Sequence, residues 1–346
     1  MRRTKEWTLG AVLFMSLIIS IFPVSASDIS VGPTSALSNL HRFTVEPYLK
    51  FNFGYTDYLL KTKEVQSELE FPLNTLIAGG RVSYAIRNGG IDEWLFRATA
   101  GTSLIEPWGV FKDHDWYVFS GYPSVKFSYT ESEVEMAYLE FSAEAEKRLF
   151  SHDDVHLYGT VKYGYQHIEQ DAMGYRGWQY ADDPNALDGD PYVYGIALLD
   201  RDLKALEYKI IYQSFGFGGR FHWHPSRRLS LSMGLMPKLL YLRDRDDHVL
   251  RNKLSTAEGF GFVGTSEVSL TYTWSDFRNY EPYISLRGQL HYLRANTEQT
   301  QEWYGDDGAT PNVDDTGTKI TGITHIVESV QGGISISAGV WYTLSK

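Results

Sequence analysis

Apolar and polar residues alternate with a period of two along most of the chain. The stretch 229–241 is the clearest example, and the apolar residues of its one face are Leu229, Leu231, Met233, Leu235, Leu239 and Tyr241. Side chains of a strand point to alternate faces, so this pattern indicates strands with one apolar and one polar face. It predicts ten strands, at residues 43–60, 69–86, 93–105, 135–150, 155–170, 206–224, 229–241, 259–274, 282–294 and about 324–344.

The connections between these strands alternate in length. Short turns follow the even-numbered strands, at residues 88–90, 151–154, 225–227 and 275–279. Longer polar connections follow the odd-numbered strands, and the longest predicted loops cover residues 106–134, 171–202 and 295–324. This regularity predicts an all-β fold, a ten-stranded antiparallel transmembrane β-barrel with short periplasmic turns and long extracellular loops. The alternative is a soluble antiparallel sandwich, which does not predict such regular alternation.

The N-terminus has the pattern of a signal peptide, at residues 1–26. Arg2, Arg3 and Lys5 precede an apolar run at residues 9–22, and small residues suited to cleavage follow at 24–26. The run is shorter than the ~20 residues that a spanning helix needs, which argues against a single-pass anchor. Residues 27–346 contain no linker-like segment, so we expect them to form one outer-membrane β-barrel domain.

Composition narrows the possible partners. The chain contains 32 Lys and Arg residues and 43 Asp and Glu residues. Three of the basic residues and one of the acidic residues lie in the predicted signal peptide, so residues 27–346 carry a formal charge of −13. This charge excludes nucleic acid as an expected partner and suits a cationic one. The chain has no cysteine, so it forms no disulfide and uses no thiol chemistry.

Two acidic segments are candidates for chemistry. In residues 244–248, Asp246 precedes His248 by two positions, so the carboxylate can orient the imidazole and raise its basicity on one side of a strand. Asp113 and Asp115 have the same spacing, and two carboxylates held close together share a proton readily and can polarise water. Both segments follow odd-numbered strands, so we expect them on the same extracellular rim. Together they could activate water without a metal or a covalent nucleophile.

Several motifs resemble those of the omptins, the ten-stranded outer-membrane proteases of Gram-negative bacteria. Residues 113–116 match the family's Asp-x-Asp-Trp, and residues 244–248 match its Asp-x-Asp-x-His. Residues 67–71 and the Glu131-Ser132 pair resemble two further family segments. The resemblance covers the chain from about residue 43 to its end, in order and with compatible spacing.

The resemblance implies a localisation and a set of roles. It implies a barrel in the bacterial outer membrane with its active site facing outward. Asp246 would orient His248, which would take a proton from a water molecule held by Asp113 and Asp115. That water would attack the peptide bond that follows a basic residue. Asp244 would line the pocket for the side chain of this basic residue. The partners implied are peptides or proteins with basic residues and lipopolysaccharide, on which the family's activity depends; no metal or other cofactor is implied.

The sequence departs from the family at several positions. Thr130 stands at the position where the family has an acid that accepts a basic residue after the cleaved peptide bond. A second pocket acid falls near Tyr58, with Asp57 one position away and expected on the opposite face. Glu169 replaces an arginine associated with lipopolysaccharide, and Lys209 is a candidate substitute for another.

Other candidates carry less weight. His222 and His224 could form a metal pair, but zinc needs three or four protein ligands. The acidic stretches 182–190, 306–307 and 314–315 lack the register of a calcium loop and are expected to be solvated. A non-catalytic barrel (an adhesin, a small pore or a structural protein) is the alternative function, because a barrel fold does not by itself imply an enzyme.

Overall fold

The computed structural model describes residues 40–88, 91–118, 120, 124–181, 192–194, 202–274, 280–306 and 314–344, and the predicted signal peptide lies outside them. The strands are β1 (Leu40–Lys61), β2 (Val65–Pro72), β3 (Thr75–Asn88), β4 (Ile91–Ser103), β5 (Phe111–Tyr117), β6 (Val125–His152), β7 (Val155–Ala181), β8 (Tyr192–Tyr194), β9 (Lys204–Ser226), β10 (Leu229–His248), β11 (Lys253–Thr273), β12 (Tyr280–Trp303) and β13 (Lys319–Leu344). No helix among the described residues is long and apolar enough to cross a membrane.

The strands close into an antiparallel ring of ten positions. β1 pairs with β13 on one side and with β2 and β3 on the other, which closes the sheet. β2 and β3 share one position of the ring, and β4 and β5 share the next, because β6 pairs with both β4 and β5. The remaining positions are β6, β7, β9, β10, β11, β12 and β13. The predicted ten-stranded antiparallel barrel is therefore confirmed.

The two ends of the ring differ. The turn end carries the short connections, such as that between β6 and β7, and the loop end carries the longer ones, such as that between β7 and β9. Two of the four predicted short turns are described, since β6 and β7 are joined at residues 153–154, and β9 and β10 at residues 227–228. Of the other two, the turn at 88–90 is described only at residue 88, and the turn at 275–279 lies outside the described residues.

The outer wall carries an apolar belt. Its exposed large side chains include Leu49, Phe51 and Phe53 on β1, Phe215 and Phe217 on β9, Leu235 and Leu239 on β10, Phe260 and Phe262 on β11, and Ile334 and Ile336 on β13. Residues between them on the same strands point inward and are polar, as Lys50, Asn52 and Lys238 show. Only the outer face of a membrane barrel contacts lipid, which explains why the chain alternates rather than being apolar throughout.

The strands continue far beyond this belt at the loop end. β6, β7 and β13 contain 28, 27 and 26 residues, whereas about 9–11 residues of a tilted strand cross a membrane. The predicted loops at 106–134, 171–202 and 295–324 were therefore wrong over much of their length. β5 and the start of β6 occupy the first, the end of β7 and β8 the second, and parts of β12 and β13 the third. Beyond the belt neither face of a strand contacts lipid, so the apolar alternation that marks a strand is lost.

A glycine marks the point where the second position of the ring divides into β2 and β3. Gly54 on β1 has a φ of 136°, its N–H donates to Oδ1 of Asn74, and its carbonyl accepts from the N–H of Leu73. A β-carbon there would lie 2.0 Å from the carbonyl oxygen of Val330. Only glycine tolerates this φ and this close approach, so Gly54 permits the backbone geometry at which β1 changes its partner from β3 to β2.

Charged side chains fill the interior at the level of the belt. Arg220 contacts Glu144 at 2.8 Å and Glu267 at 2.6 Å, and Lys162 contacts Glu267 at 2.8 Å. All four side chains are nearly buried. Barrels of this size enclose little more than their own side chains, and these ion pairs occupy the lumen beneath the loop end.

Candidate active site

The end of β10 presents a row of candidate residues to the interior of the loop end. Asp244, Asp246 and His248 occupy alternate positions and share the inward face. A 3-10 turn, Val249–Arg251, reverses the chain into β11. The hairpin then places Lys253 opposite His248 on the neighbouring strand.

Asp246 and His248 form a hydrogen-bonded pair. Nε2 of His248 lies 2.9 Å from Oδ2 of Asp246. The Asp246 side chain is completely buried, whereas 15% of the His248 side chain is exposed. With Nε2 donating to the carboxylate, Nδ1 of His248 is the nitrogen that can accept a proton. Burial lowers the pKa of His248, so its imidazole is neutral and basic near pH 7.

Asp113 and Asp115 lie on β5, and both point inward. His114 between them points outward, where its Nδ1 accepts a hydrogen bond from Nζ of Lys126 at 2.6 Å and its ring stacks on Trp116. His114 therefore faces away from the acid couple. Burial, and then the charge of Asp115, raise the pKa of Asp113 well above its usual range. The couple thus holds a proton.

The two acidic segments point into the barrel interior from different walls. β5 and β10 are four positions apart in the ring of ten, which places them on nearly opposite walls. The charge of Asp246 contributes to the raised pKa of Asp113, so the two carboxyls interact across this gap. The charges of Asp246, Asp113 and Asp115 all act on the pKa of Lys253, which burial nevertheless lowers. The ammonium of Lys253 also lies 5.8 Å from the ring centroid of Trp303.

Asp244 lies deeper than the catalytic candidates. Its Oδ1 accepts a hydrogen bond from the N–H of Ala257 at 3.1 Å, and its Oδ2 lies 3.6 Å from Nε2 of His325. The ring of Tyr58 covers His325 with a centroid distance of 4.0 Å, and Tyr208 meets Tyr58 edge-on at 5.6 Å. Burial and the charge of Asp246 raise the pKa of Asp244 well above its usual range.

The structure also shows where the residues that depart from the omptin pattern lie. Tyr58 points inward and is buried, whereas Asp57 faces the outer wall, as the register argument predicted. There, burial and the neighbouring Glu68 raise the pKa of Asp57 to about 7. Thr130 lies opposite Asp113 on the paired strand β6. Asp57 is therefore excluded from the pocket, and Thr130 is beside the acid couple.

On the outer wall, acidic side chains compensate the charge of Lys209, which is the candidate for lipopolysaccharide contact. Nζ of Lys209 lies 2.8 Å from Glu207 and 3.8 Å from Glu169. The charge of Lys209 is thus balanced locally. Asp247, on the opposite face of β10 from Asp246, has a side chain that is 19% exposed and accepts a hydrogen bond from the hydroxyl of Tyr304 at 3.0 Å.

The remaining candidates lie away from this cleft. His222 and His224 stack with ring centroids 6.5 Å apart near the turn end. Among the residues that the structure describes, no three His, Asp or Glu side chains are grouped so as to hold a metal ion. Asp314 accepts a hydrogen bond from the N–H of Thr316 in a turn. Residues 182–190 and 307 lie outside the described residues.

Several residues of the cleft were missed from the sequence, among them Lys253, Ser255, Tyr58, Tyr208 and His325. Lys253 and Ser255 continue the inward row of β11, and the even spacing after His248 was a usable signal for them. Tyr58 and His325 lie on β1 and β13, which meet only when the ring closes. No local pattern marks such a contact.

The fold has a solved relative. The chain superimposes on the outer membrane protease OmpT from Escherichia coli with a TM-score of 0.64 and 15% sequence identity, over 88% of this chain and 97% of OmpT. The translocator domain of the autotransporter NalP from Neisseria meningitidis gives a TM-score of 0.35 at 10% identity, over 97% of each chain. No protein-family model and no curated protein matches the sequence. At this identity the likeness to OmpT establishes the fold, that of an outer-membrane β-barrel.

Proposed function

We propose that the protein is an omptin-like outer-membrane endopeptidase that hydrolyses peptide bonds with an activated water molecule. The observation that carries the proposal is the hydrogen-bonded pair of Asp246 and His248 on β10, which shares the barrel interior with the Asp113 and Asp115 couple on β5. A base with its orienting acid, opposite a carboxyl couple that binds water, is the minimum set for metal-free hydrolysis. The likeness of the fold to OmpT agrees with this arrangement.

The chemistry assigns one task to each group. The Asp113 and Asp115 couple holds a water molecule, and Nδ1 of His248 takes one of its protons as the oxygen attacks the peptide carbonyl. Asp246 keeps the imidazole in the tautomer with the proton on Nε2 and stabilises the imidazolium that forms. When the tetrahedral intermediate collapses, His248 returns the proton to the leaving amine. The step conserves protons, with no metal and no covalent intermediate.

We further propose cleavage after a basic residue. Asp244 lies two positions below Asp246 on the same inward row, and its Oδ2 has no hydrogen-bond partner among the described residues. A cationic side chain would satisfy that buried oxygen, and the net charge of the chain favours cationic peptides. The active site then faces the cell exterior, and lipopolysaccharide is the lipid expected to surround the barrel and support activity.

Peptide cleavage tests the proposal. The refolded protein, with lipopolysaccharide present, is given fluorogenic peptides that contain one lysine or arginine, and cleavage is followed with and without a chelator. We expect cleavage after the basic residue that the chelator does not reduce. His248→Ala and Asp113→Ala should each abolish it.

Two results would contradict the proposal. Unchanged activity in His248→Ala would exclude the assigned base. No cleavage by the wild-type barrel, whose folding is verified by its altered gel mobility without heating, would favour the non-catalytic alternative. Ion conductance or binding to host surfaces would then be the next measurement.

A further inference from the structure

The barrel lumen contains two neighbouring cavities at the level of the apolar belt. Their volumes are about 110 and 90 Å³, so each has room for several water molecules or a small ion. Arg81, Glu267 and Arg287 line both cavities, which places these three residues where the cavities adjoin. The larger cavity extends toward the loop end beside Leu240, and the smaller one toward the turn end beside Trp341.

Cationic side chains outnumber carboxylates around these cavities. Seven lysine and arginine side chains line them. Five of the seven form ion pairs, namely Lys50, Arg81, Arg97, Lys162 and Arg220. Their partners are also five in number: Glu46, Glu140, Glu144, Glu146 and Glu267. The other two cations, Lys238 and Arg287, make no hydrogen bond and no ion pair with any residue that the structure describes. The cavity walls therefore carry two positive charges in excess.

The surroundings of Lys238 do not neutralise its charge. Lys238 lies on the inward face of β10, and only 6% of the residue is exposed. Among neighbouring charges, that of Lys162 acts on it most strongly, and it repels. The attraction from Glu267 and from Glu144 is weaker, and both carboxylates already have cationic partners. Lys238 and Lys162 are also the charges that act most strongly on His291, which lines the same cavity, so the field there is positive.

Arg287 is in the same position where the two cavities adjoin. A guanidinium has five N–H donors and cannot accept a hydrogen bond. The neighbouring charge that acts on it most strongly is that of Arg81, which repels it. The side-chain nitrogen atoms of Arg287 and Lys238 have no partner, yet they are not among the buried unpaired atoms of the described residues. They therefore keep accessible surface, which opens onto the cavities that they line.

We propose that the lumen binds small inorganic anions at Lys238 and Arg287. A charge inside a lipid-surrounded barrel is costly unless a charge of opposite sign compensates it, and the described carboxylates of these walls are already paired. The amide of Gln289 and the hydroxyl of Ser214 line the larger cavity and can donate to the same anion. Cavities of this volume admit chloride or phosphate and exclude lipids and nucleotides. The inference is independent of the proposed peptidase activity.

The NMR line width of chloride tests the proposal. The refolded wild-type protein, in a nonionic detergent at pH 6 where lysine and arginine are protonated, should broaden the chloride line, because a bound ion relaxes faster than a free one. Lys238→Met/Arg287→Met should remove this excess line width. Neither substitution breaks an ion pair, so we expect the double variant to fold, which its altered gel mobility without heating verifies. Lys63→Met/Arg227→Met is the matched control, since both residues are exposed at the ends of the barrel, and should leave the line width unchanged.

Competition identifies the class of anion. Bromide or phosphate is added at constant ionic strength, and the narrowing of the chloride line is followed. Narrowing at lower concentrations of phosphate than of bromide would assign a site for oxyanions. The reverse order would assign a site for halides.

Stability in urea gives a second measurement, which also detects an anion that exchanges slowly. Sodium chloride replaces sodium gluconate, whose anion is too large for the cavities, at constant ionic strength. The ratio of folded to unfolded protein should rise, by about elevenfold when chloride reaches ten times its dissociation constant. The rise should occur in the wild type and the matched control and be absent in Lys238→Met/Arg287→Met.

A difference between the wild type and Lys238→Met/Arg287→Met in either measurement, with the matched control behaving as the wild type, supports the proposal. Equal line widths together with an equal response to chloride in urea would overturn it and leave only water at the two cations. Neither measurement uses peptide cleavage, so both outcomes leave the proposed function to its own test.

Discussion

Oδ2 of Asp246 lies 2.9 Å from Nε2 of His248, and the carboxylate is completely buried while the imidazole keeps an exposed edge. A buried carboxylate of this kind can orient the ring without being reached by water. The exposed edge is the side from which a substrate and its water would approach. This difference in exposure separates the orienting residue from the reacting one.

Replacing Asp246 by asparagine should remove activity without removing the barrel. The amide can donate to Nε2 and so favours the wrong tautomer of His248, which places the ring proton on the nitrogen that must act as base. We expect kcat to fall about 10,000-fold, as when an amide replaces the acid of a Ser-His-Asp triad. Asp247→Asn is the control, and kcat should stay within about threefold. Similar losses in both variants would show that Asp246 has no special role.

The pH dependence of kcat/KM should have an acid limb set by His248. Burial holds the pKa of this imidazole below its ordinary value, so the neutral base is present at pH 7 and is lost only as the pH falls below about 6.5. The rate of peptide cleavage from pH 4 to pH 9 measures the limb. A limb centred above the ordinary histidine range would contradict the assignment.

Asp113→Asn should reduce kcat by roughly 100- to 10,000-fold, the range over which a positioned proton-transfer group contributes. The amide cannot share the proton that the Asp113 and Asp115 couple holds, so the water loses its polarising partner. His114→Ala removes an outward-facing side chain between them and should leave kcat nearly unchanged. Steady-state kinetics on both variants would show whether only side chains that point into the barrel affect kcat. An equal loss of kcat in both variants would contradict the role of Asp113.

Lys253→Met should move the acid limb to higher pH. The ammonium of Lys253 lowers the pKa of both His248 and Asp113, so its removal lets both groups hold their protons at higher pH. The ratio of activity at pH 6 to activity at pH 8 should therefore fall. Arg245→Met removes the same charge from an outward, exposed position and should leave the limb in place. An unshifted limb in Lys253→Met would remove Lys253 from the electrostatics of the site.

Gly54→Val should destabilise the barrel. The side chain would meet the carbonyl of Val330 at 2.0 Å in a backbone conformation that L residues avoid, a strain of at least about 1–3 kcal/mol. The free energy of unfolding in guanidinium, measured in detergent, should fall by that amount or more. Gly264→Ala is the control, since its nearest contact would be a ring atom of Phe262 at 3.8 Å. Equal stability of both variants would contradict the role given to Gly54.

Sequence reasoning succeeded where the cause is local. Each strand has one face toward lipid, so the belt residues of β10, such as Leu235 and Leu239, alternate visibly with inward residues such as Lys238. The spacing of Asp246 and His248 is also local, because residues two apart on a strand share a face, and the structure places them in contact. Beyond the belt the lipid constraint ends, and with it the signal, so β5 and the start of β6 read as a loop.

Only the closed ring decided which residues share the cleft. Asp113 and Asp246 lie on strands four positions apart, and the curvature of the sheet, not any pattern in the chain, turns them toward each other. His325 and Tyr58 meet Asp244 because β13 pairs with β1, which joins the two ends of the sequence. The sequence by itself determined the alternation, the strand number and the two acidic pairs. The tertiary structure determined the depth of Asp244, the cover over it and the position of Lys253, since these depend on contacts between strands far apart in the chain.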